Sequence, residues 1–251
     1  MDGIDTRWVA LLALVLQVVA VEVGWRASSR VAVVTDASRA QATAVQASAL
    51  ALLGLLLAFT FSMSAARFEA RRELVVAEAN ALGTAHLRAG LAPEDARGSL
   101  RALLVAHAAA RLDYLQARDE AGRSEALRAS DHALRHLEQA VETTVRAAPQ
   151  DVGRALLVPA VNALADLQAQ QLAAHEARVP ATIVALLVVH SVVALGLVGW
   201  CFGLHGGAHR GACGVLVVLL ALILLVILDL DDPRHGRIRV STAPLARMVF
   251  M

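Results

Sequence analysis

Hydrophobic and polar positions along this chain fall into long blocks. Apolar runs occupy residues 8–23, 46–66, 180–204 and 213–230. The last three reach or approach the roughly 20 residues that cross a bilayer. The first is shorter, but Trp8 and Trp25 stand at its two ends, as the aromatic belts of a membrane helix do. At about 1.5 Å per residue those rings are separated by roughly the thickness of a thin hydrocarbon core. The pattern predicts four membrane helices, at about 7–24, 46–66, 180–204 and 213–230. A cleaved leader is the alternative for the first. Asp2 and Asp5 outweigh Arg7 at its start and no small-x-small site follows cleanly, so a retained helix is expected.

The second block carries the most information. Its apolar run passes straight into Ala66-Arg67-Phe68-Glu69-Ala70-Arg71-Arg72-Glu73-Leu74, with no Gly, Pro or turn residue between the two. One continuous helix can therefore leave the membrane carrying polar groups with it. The insert that follows, residues 67–178, reads as helix with three breaks. They fall at Gly90 with Pro93, at Gly122 with Ser124, and at Ala148-Pro149-Gln150-Asp151. Glu94 and Asp95 suit a first helical turn, and Asp151 suits an N-cap. Leu100, Leu103, Leu104, His107 and Arg111 form a stripe for packing on neighbouring helices or a second subunit. The tail, 231–251, reads as short and extended around Ile238 and Val240. The expected architecture is all-α: one integral-membrane domain, 1–251, with a helical cytoplasmic insert.

Composition agrees with this. The 251 residues are 57% hydrophobic but only 4% aromatic. The mean hydropathy of +0.58 is too apolar for an ordinary soluble domain. A net charge of +1 points to no nucleic-acid partner. The arginines sort by side: Arg7, Arg67, Arg71, Arg72, Arg178, Arg234, Arg237, Arg239 and Arg247 on one, Arg26, Arg30, Arg39 and Arg210 on the other. The positive-inside rule then places both termini and the insert in the cytoplasm. All 23 basic residues are Arg, which with the alanine excess suggests a GC-rich bacterial genome. Cys201 and Cys213 flank the short outer turn; a disulfide there is the alternative to two small residues packed among helices.

Candidate chemistry is sparse. On a helical wheel through residues 54–80, one face bears Gly54, Ala58, Ser62 and Ala66, joined by Leu55, Phe59, Glu69, Glu73 and Asn80. The opposite face bears Thr60, Ser64, Arg67, Arg71 and Glu78. The first face suits a small-residue packing ridge, and the alternative is a pore wall with an apolar collar leading to acids; the wheel alone favours the ridge. Glu22 lies near the outer interface and reads as structural. Asp229, Asp231 and Asp232 end the last membrane helix against its dipole, so ion pairs with Arg67, Arg71 and Arg72 are expected rather than a metal. His132 and His136 are one turn apart but lack an evident third ligand. Gly196, Gly199 and Gly203 read as close-packing positions. With no catalytic triad, Walker sequence or nucleotide fingerprint, neither an enzyme nor a cofactor is expected.

Gly54-Leu55-Leu56-Leu57-Ala58-Phe59-Thr60-Phe61-Ser62, the Ala66–Leu74 stretch and Glu78-Ala79-Asn80-Ala81-Leu82-Gly83-Thr84-Ala85 together resemble the bacterial bestrophin-like family. Arg178-Val179-Pro180, Leu228-Asp229-Leu230-Asp231-Asp232-Pro233, Gly236 and Val240-Ser241 extend the resemblance over nearly the whole chain. Bestrophins are pentameric ion channels with four membrane helices per subunit, the second forming an apolar neck. The resemblance therefore implies a self-associating channel in a lipid bilayer passing inorganic ions. Leu55, Phe59 and Ser62 would form its constriction, and Glu69, Glu73 and Asn80 its cytoplasmic vestibule. Arg67, Arg71, Arg72, Asp229, Asp231 and Asp232 would serve as ion pairs or in selectivity. The paired Asn and the Trp of the bestrophin motif are missing and the acidic cluster is short, so calcium gating is not carried over. The acids favour cations, while the Arg67 face would draw anions. A non-conducting scaffold or sensor is the alternative, and a transporter is disfavoured by the lack of a broken helix.

Overall fold

The computed structural model describes residues 6–31, 35–205, 210–233 and 236–249. Asp2, Asp5, Arg234 and the chain's last residue lie outside these, as do the side chains of Arg7 and Arg210. The described residues form helices and no strand: α1 (Thr6–Ser28), α2 (Asp36–Ala89), α3 (Glu94–Gln116), α4 (Glu120–Arg146), α5 (Val152–Ala155), α6 (Leu157–Glu176), α7 (Ala181–Leu204), α8 (Arg210–Asp231) and α9 (Ala243–Val249). Four stretches, in α1, α2, α7 and α8, are long and apolar enough to cross a membrane. At 54 residues α2 is more than twice the length a bilayer needs. The chain divides into two compact units: residues 1–67 with 178–239, and 68–177 with 240–251.

In the first unit, Ala13, Leu53, Leu57, Leu187, Ala194, Leu224 and Ile227 form a buried core. Lipid is as apolar as leucine, so membrane helices associate through close packing and internal hydrogen bonds. Glycines supply the first between α1 and α7. A Cβ on Gly24 would lie 2.1 Å from the carbonyl oxygen of Gly196, and one on Gly199 would lie 2.1 Å from that of Val21. A Cβ on Gly203 would strike Ser28 Oγ at 1.7 Å. Only backbones without side chains approach this closely. Buried hydrogen bonds supply the second: Gln17 Nε2 donates to Ser191 Oγ at 3.0 Å, and His190 Nε2 lies 3.1 Å from the carbonyl oxygen of Ala49. Cys201 and Cys213 are buried free thiols.

In the second unit, Leu82, Leu100, Leu104, Leu137, Val141, Leu157 and Leu164 make the core. The first and third helix breaks fall where Gly90 with Pro93 and Asp151 put them. Asp151 caps α5, accepting the backbone N–H of Arg154 at 3.2 Å. The second comes earlier than Gly122. Asp119 is the N-cap of α4 and accepts the N–H of Gly122 at 2.7 Å, so Gly122 lies inside the first turn. The expectation of an extended tail is corrected at its end, where α9 buries Leu245 completely. Gln116 Nε2 also donates to Thr242 Oγ1 just before α9, at 3.2 Å.

Candidate functional site

The two faces of α2 have different surroundings. Within the first unit, Leu53, Leu57, Thr60 and Ser64 are buried, while Gly54, Leu55, Ala58, Phe59, Ser62 and Ala66 are exposed. Phe59 is 66% exposed and Leu55 51%. A Cβ added to Gly54 would meet nothing within 4 Å. The chain's own helices therefore leave the small-residue ridge uncovered. Within the second unit, Glu69, Glu73 and Asn80 are exposed, whereas Arg71, Val75, Glu78, Leu82 and Ala85 are buried.

The acidic end of α8 is occupied by local bonds. Asp231 takes the backbone N–H of Val179 on both carboxylate oxygens, at 3.0 and 2.8 Å, and lies 3.5 Å from Arg67. Asp232 pairs with Arg178 at 3.5 Å. Asp229 accepts the N–H groups of Arg237 and Ile238, each at 2.8 Å. Gly236 is required in this turn, because a Cβ there would lie 2.5 Å from the carbonyl oxygens of Asp229 and Asp232. Of the three arginines expected to answer these acids, Arg67 makes a pair. Arg72 pairs with Glu69 on its own helix, at 2.6 Å. Arg71 is buried in the second unit, at 2% exposure.

The most elaborate constellation of the second unit joins residues not read together from the sequence. Arg111 Nε donates to Glu78 Oε1 at 2.7 Å, with both side chains fully buried. Arg111 Nη2 donates to Gln171 Oε1 at 2.5 Å. Gln171 Nε2 in turn reaches Glu78 Oε2 at 2.6 Å and the carbonyl of Leu74 at 3.1 Å. The guanidinium of Arg111 lies 5.0 Å from the centre of the Tyr114 ring, whose edge contact with His175 has a 5.9 Å separation. A second bridge runs from Ser130 Oγ to Gln168 Oε1 at 2.9 Å and from Gln168 Nε2 to Asp131 at 2.5 Å.

Histidines beside this network are held neutral. Burial, with Arg111 adding its charge, pushes His107 down to about 4, although its Nδ1 lies 3.4 Å from the Ser130 carbonyl. His175 is also lowered, chiefly by burial. A signal for the network existed: Glu78 sits on the same helical stripe as Val75 and Leu82, and Arg111 continues the stripe of Leu104 and His107. An ionisable group on an apolar stripe requires a buried counter-ion. His132 and His136 are exposed with Nε2 atoms 3.1 Å apart. No cluster of three or more metal-ligating side chains occurs among the described residues.

Four apolar helices, with α2 continuing into a helical extension, define an all-α integral membrane protein. A model of the bestrophin-like domain matches residues 9–245, and the chain belongs to the bestrophin-like family. No curated protein matches its sequence. Among solved structures, the fold is similar to a bacterial bestrophin homologue from Klebsiella pneumoniae. A single-substitution form of that protein has a TM-score of 0.68 at 16% identity, covering 97% of this chain and 98% of that one. The form solved by zinc phasing has a TM-score of 0.67 at 17% identity, covering 98% and 95%.

Proposed function

We propose that the chain is the subunit of an oligomeric ion channel of the bacterial inner membrane, with the uncovered face of α2 lining its pore. One contrast carries this reading. The exposed faces of α1 and α8 in the first unit present Leu11, Val15, Val18, Val19, Val215, Leu219 and Leu222, the branched aliphatic surface that lipid favours. The uncovered face of α2 instead interleaves Gly54, Ala58, Ser62 and Ala66 with the larger Leu52, Leu55, Phe59 and Phe61. Small and hydroxylic positions offer lipid little contact. They suit a narrow path whose apolar collar gates by dewetting. Family membership supports the same reading, with the bestrophin pentamer as the assembly.

The exposed acids favour cations. Glu69 and Glu73 are exposed, and with the exposed Arg72 that pairs with Glu69 they sum to one net negative charge per subunit, while Arg67 answers Asp231 and Arg71 is buried. Repeated around an oligomer axis, the two acids form rings that concentrate cations despite partial screening. The test is a bilayer recording under a salt gradient. Wild type should reverse toward the cation potential, and Glu69→Gln with Glu73→Gln should weaken that preference. A reversal potential unmoved by the Gln pair but shifted by Arg67→Gln would assign selection to the other face and to anions. Both termini are assigned to the cytoplasm, so a reporter fused after Met251 should be active only in its cytoplasmic form.

A further inference from the structure

The first unit holds a cavity of about 730 Å³ between α1, α7 and α8, within the size range of ligand sites. Its walls are apolar at depth, with Leu14 and Val18 from α1 and Val217 from α8, and Phe202 from α7 adds apolar surface nearer the helix ends. The polar groups come at one end, where Glu22 and Trp25 line the opening. Glu22 accepts a hydrogen bond from Arg26 Nε at 2.8 Å, and both side chains reach solvent. This is also the end at which α1 and α7 stop and α8 begins. The groove thus has the polarity of an amphiphile, apolar toward the middle of the helices and charged at their ends.

Its length selects the occupant. From Leu14 to Trp25 the helix rises about 16 Å, roughly half of a 30 Å hydrocarbon core. That is the depth of one leaflet. A second transmembrane helix would need a seam along the full span, whereas one acyl chain fills a single leaflet. Trp25 sits where an interfacial ring belongs. Glu22, which lines the opening, and its partner Arg26 one turn on set an acid and a base side by side, which a head group carrying both an ammonium and a phosphate complements. The Glu22 carboxylate accepts ammonium N–H groups, and the guanidinium of Arg26 has further donors for phosphate oxygens.

We infer that this groove seats one acyl chain of a phospholipid whose head group bears a primary ammonium, held at the opening by Glu22 and Arg26. Gly214 gives a direct way to fill it. It lines the groove, and a Cβ there would meet nothing within 4 Å, so Gly214→Phe can project into the space without displacing backbone.

The experiment is native mass spectrometry of the delipidated full chain after incubation with phosphatidylethanolamine or phosphatidylglycerol. Wild type should retain one phosphatidylethanolamine per chain, with a few-fold preference over phosphatidylglycerol, the size that partly exposed charge pairs support. Gly214→Phe should lose the retained lipid while keeping the wild-type assembly and melting point. Glu22→Gln should keep a lipid but lose the preference, and this arm stands even where Gly214→Phe fails to assemble. Equal retention by a folded Gly214→Phe protein would overturn the site, and so would a wild type that binds both lipids alike. A second copy cross-linking through the groove would replace the lipid reading with a subunit interface.

Discussion

Glu73 and Glu78 stand little more than one turn apart on α2, yet one is exposed while the other is fully buried between Arg111 and Gln171. The same division holds higher on the helix, where Leu57 is buried and Phe59 is not. The covered face is committed to holding each unit together: Glu78 is held by Arg111 and Gln171, and Thr60 Oγ1 donates to the carbonyl oxygen of Leu56. The uncovered face is released from that duty and keeps a composition that neither lipid nor a packed interior requires. Function is best sought on the face where stability makes no demand.

Removing a carboxylate from each face should separate them most strongly. Glu78→Ala leaves the Arg111 guanidinium buried without its counter-charge, at a cost of about 3–5 kcal/mol. Glu73→Ala, on the exposed side, should change stability by less than about 0.5 kcal/mol. Denaturant unfolding of the two variants checks this, and similar midpoints would break the division.

A pH titration sharpens it from the core side. The unfolded chain protonates His107 near pH 6.5, while the folded protein resists protonation until about pH 4. The folded state therefore loses stability as pH falls through that window. The full contribution, reached below pH 4, is about 3 kcal/mol from 1.36 kcal/mol per unit. His175 acts in the same direction. His107→Leu should flatten the stability profile between pH 6.5 and 4 relative to wild type; parallel profiles would show that His107 is solvated.

Glycine substitutions give smaller effects of opposite sign. Gly199→Ala places a methyl group against the Val21 carbonyl and should cost about 1–3 kcal/mol by overpacking α1 and α7. Gly54→Ala meets open space and should gain up to about 1 kcal/mol of helix propensity. Thermal melting in detergent distinguishes the two, and a destabilised Gly54→Ala protein would place that face against another surface.

Much of this fold could be read from the sequence because its strongest signals are local. An apolar run of membrane length has few alternatives, and Pro93 and Asp151 punctuate helices by their own chemistry. Gly122 misled because Asp119, just upstream, recruits its N–H and draws the glycine into the helix. The short helix α9 lacks the length to stabilise itself; it depends on burying Leu245, a tertiary effect. Glu78 and Arg111 each showed a charge on an apolar stripe, but their pairing, with Gln171 between them, joins three helices far apart in the chain. On α2 the wheel resolved two faces and could not say which was covered, since a small-residue ridge serves packing and conduction alike. The burial of Leu53, Leu57 and Thr60 opposite the ridge supplied that answer.

On the proposed function, the uncovered face of α2 lines an ion path narrowed at Phe59. The most direct test is the unitary conductance of Phe59→Ala in planar bilayers, measured beside wild type. Shortening this side chain should widen a dewetted collar and raise conductance or basal leak. A conducting protein whose current is unchanged by Phe59→Ala would contradict the claim and place the pore elsewhere.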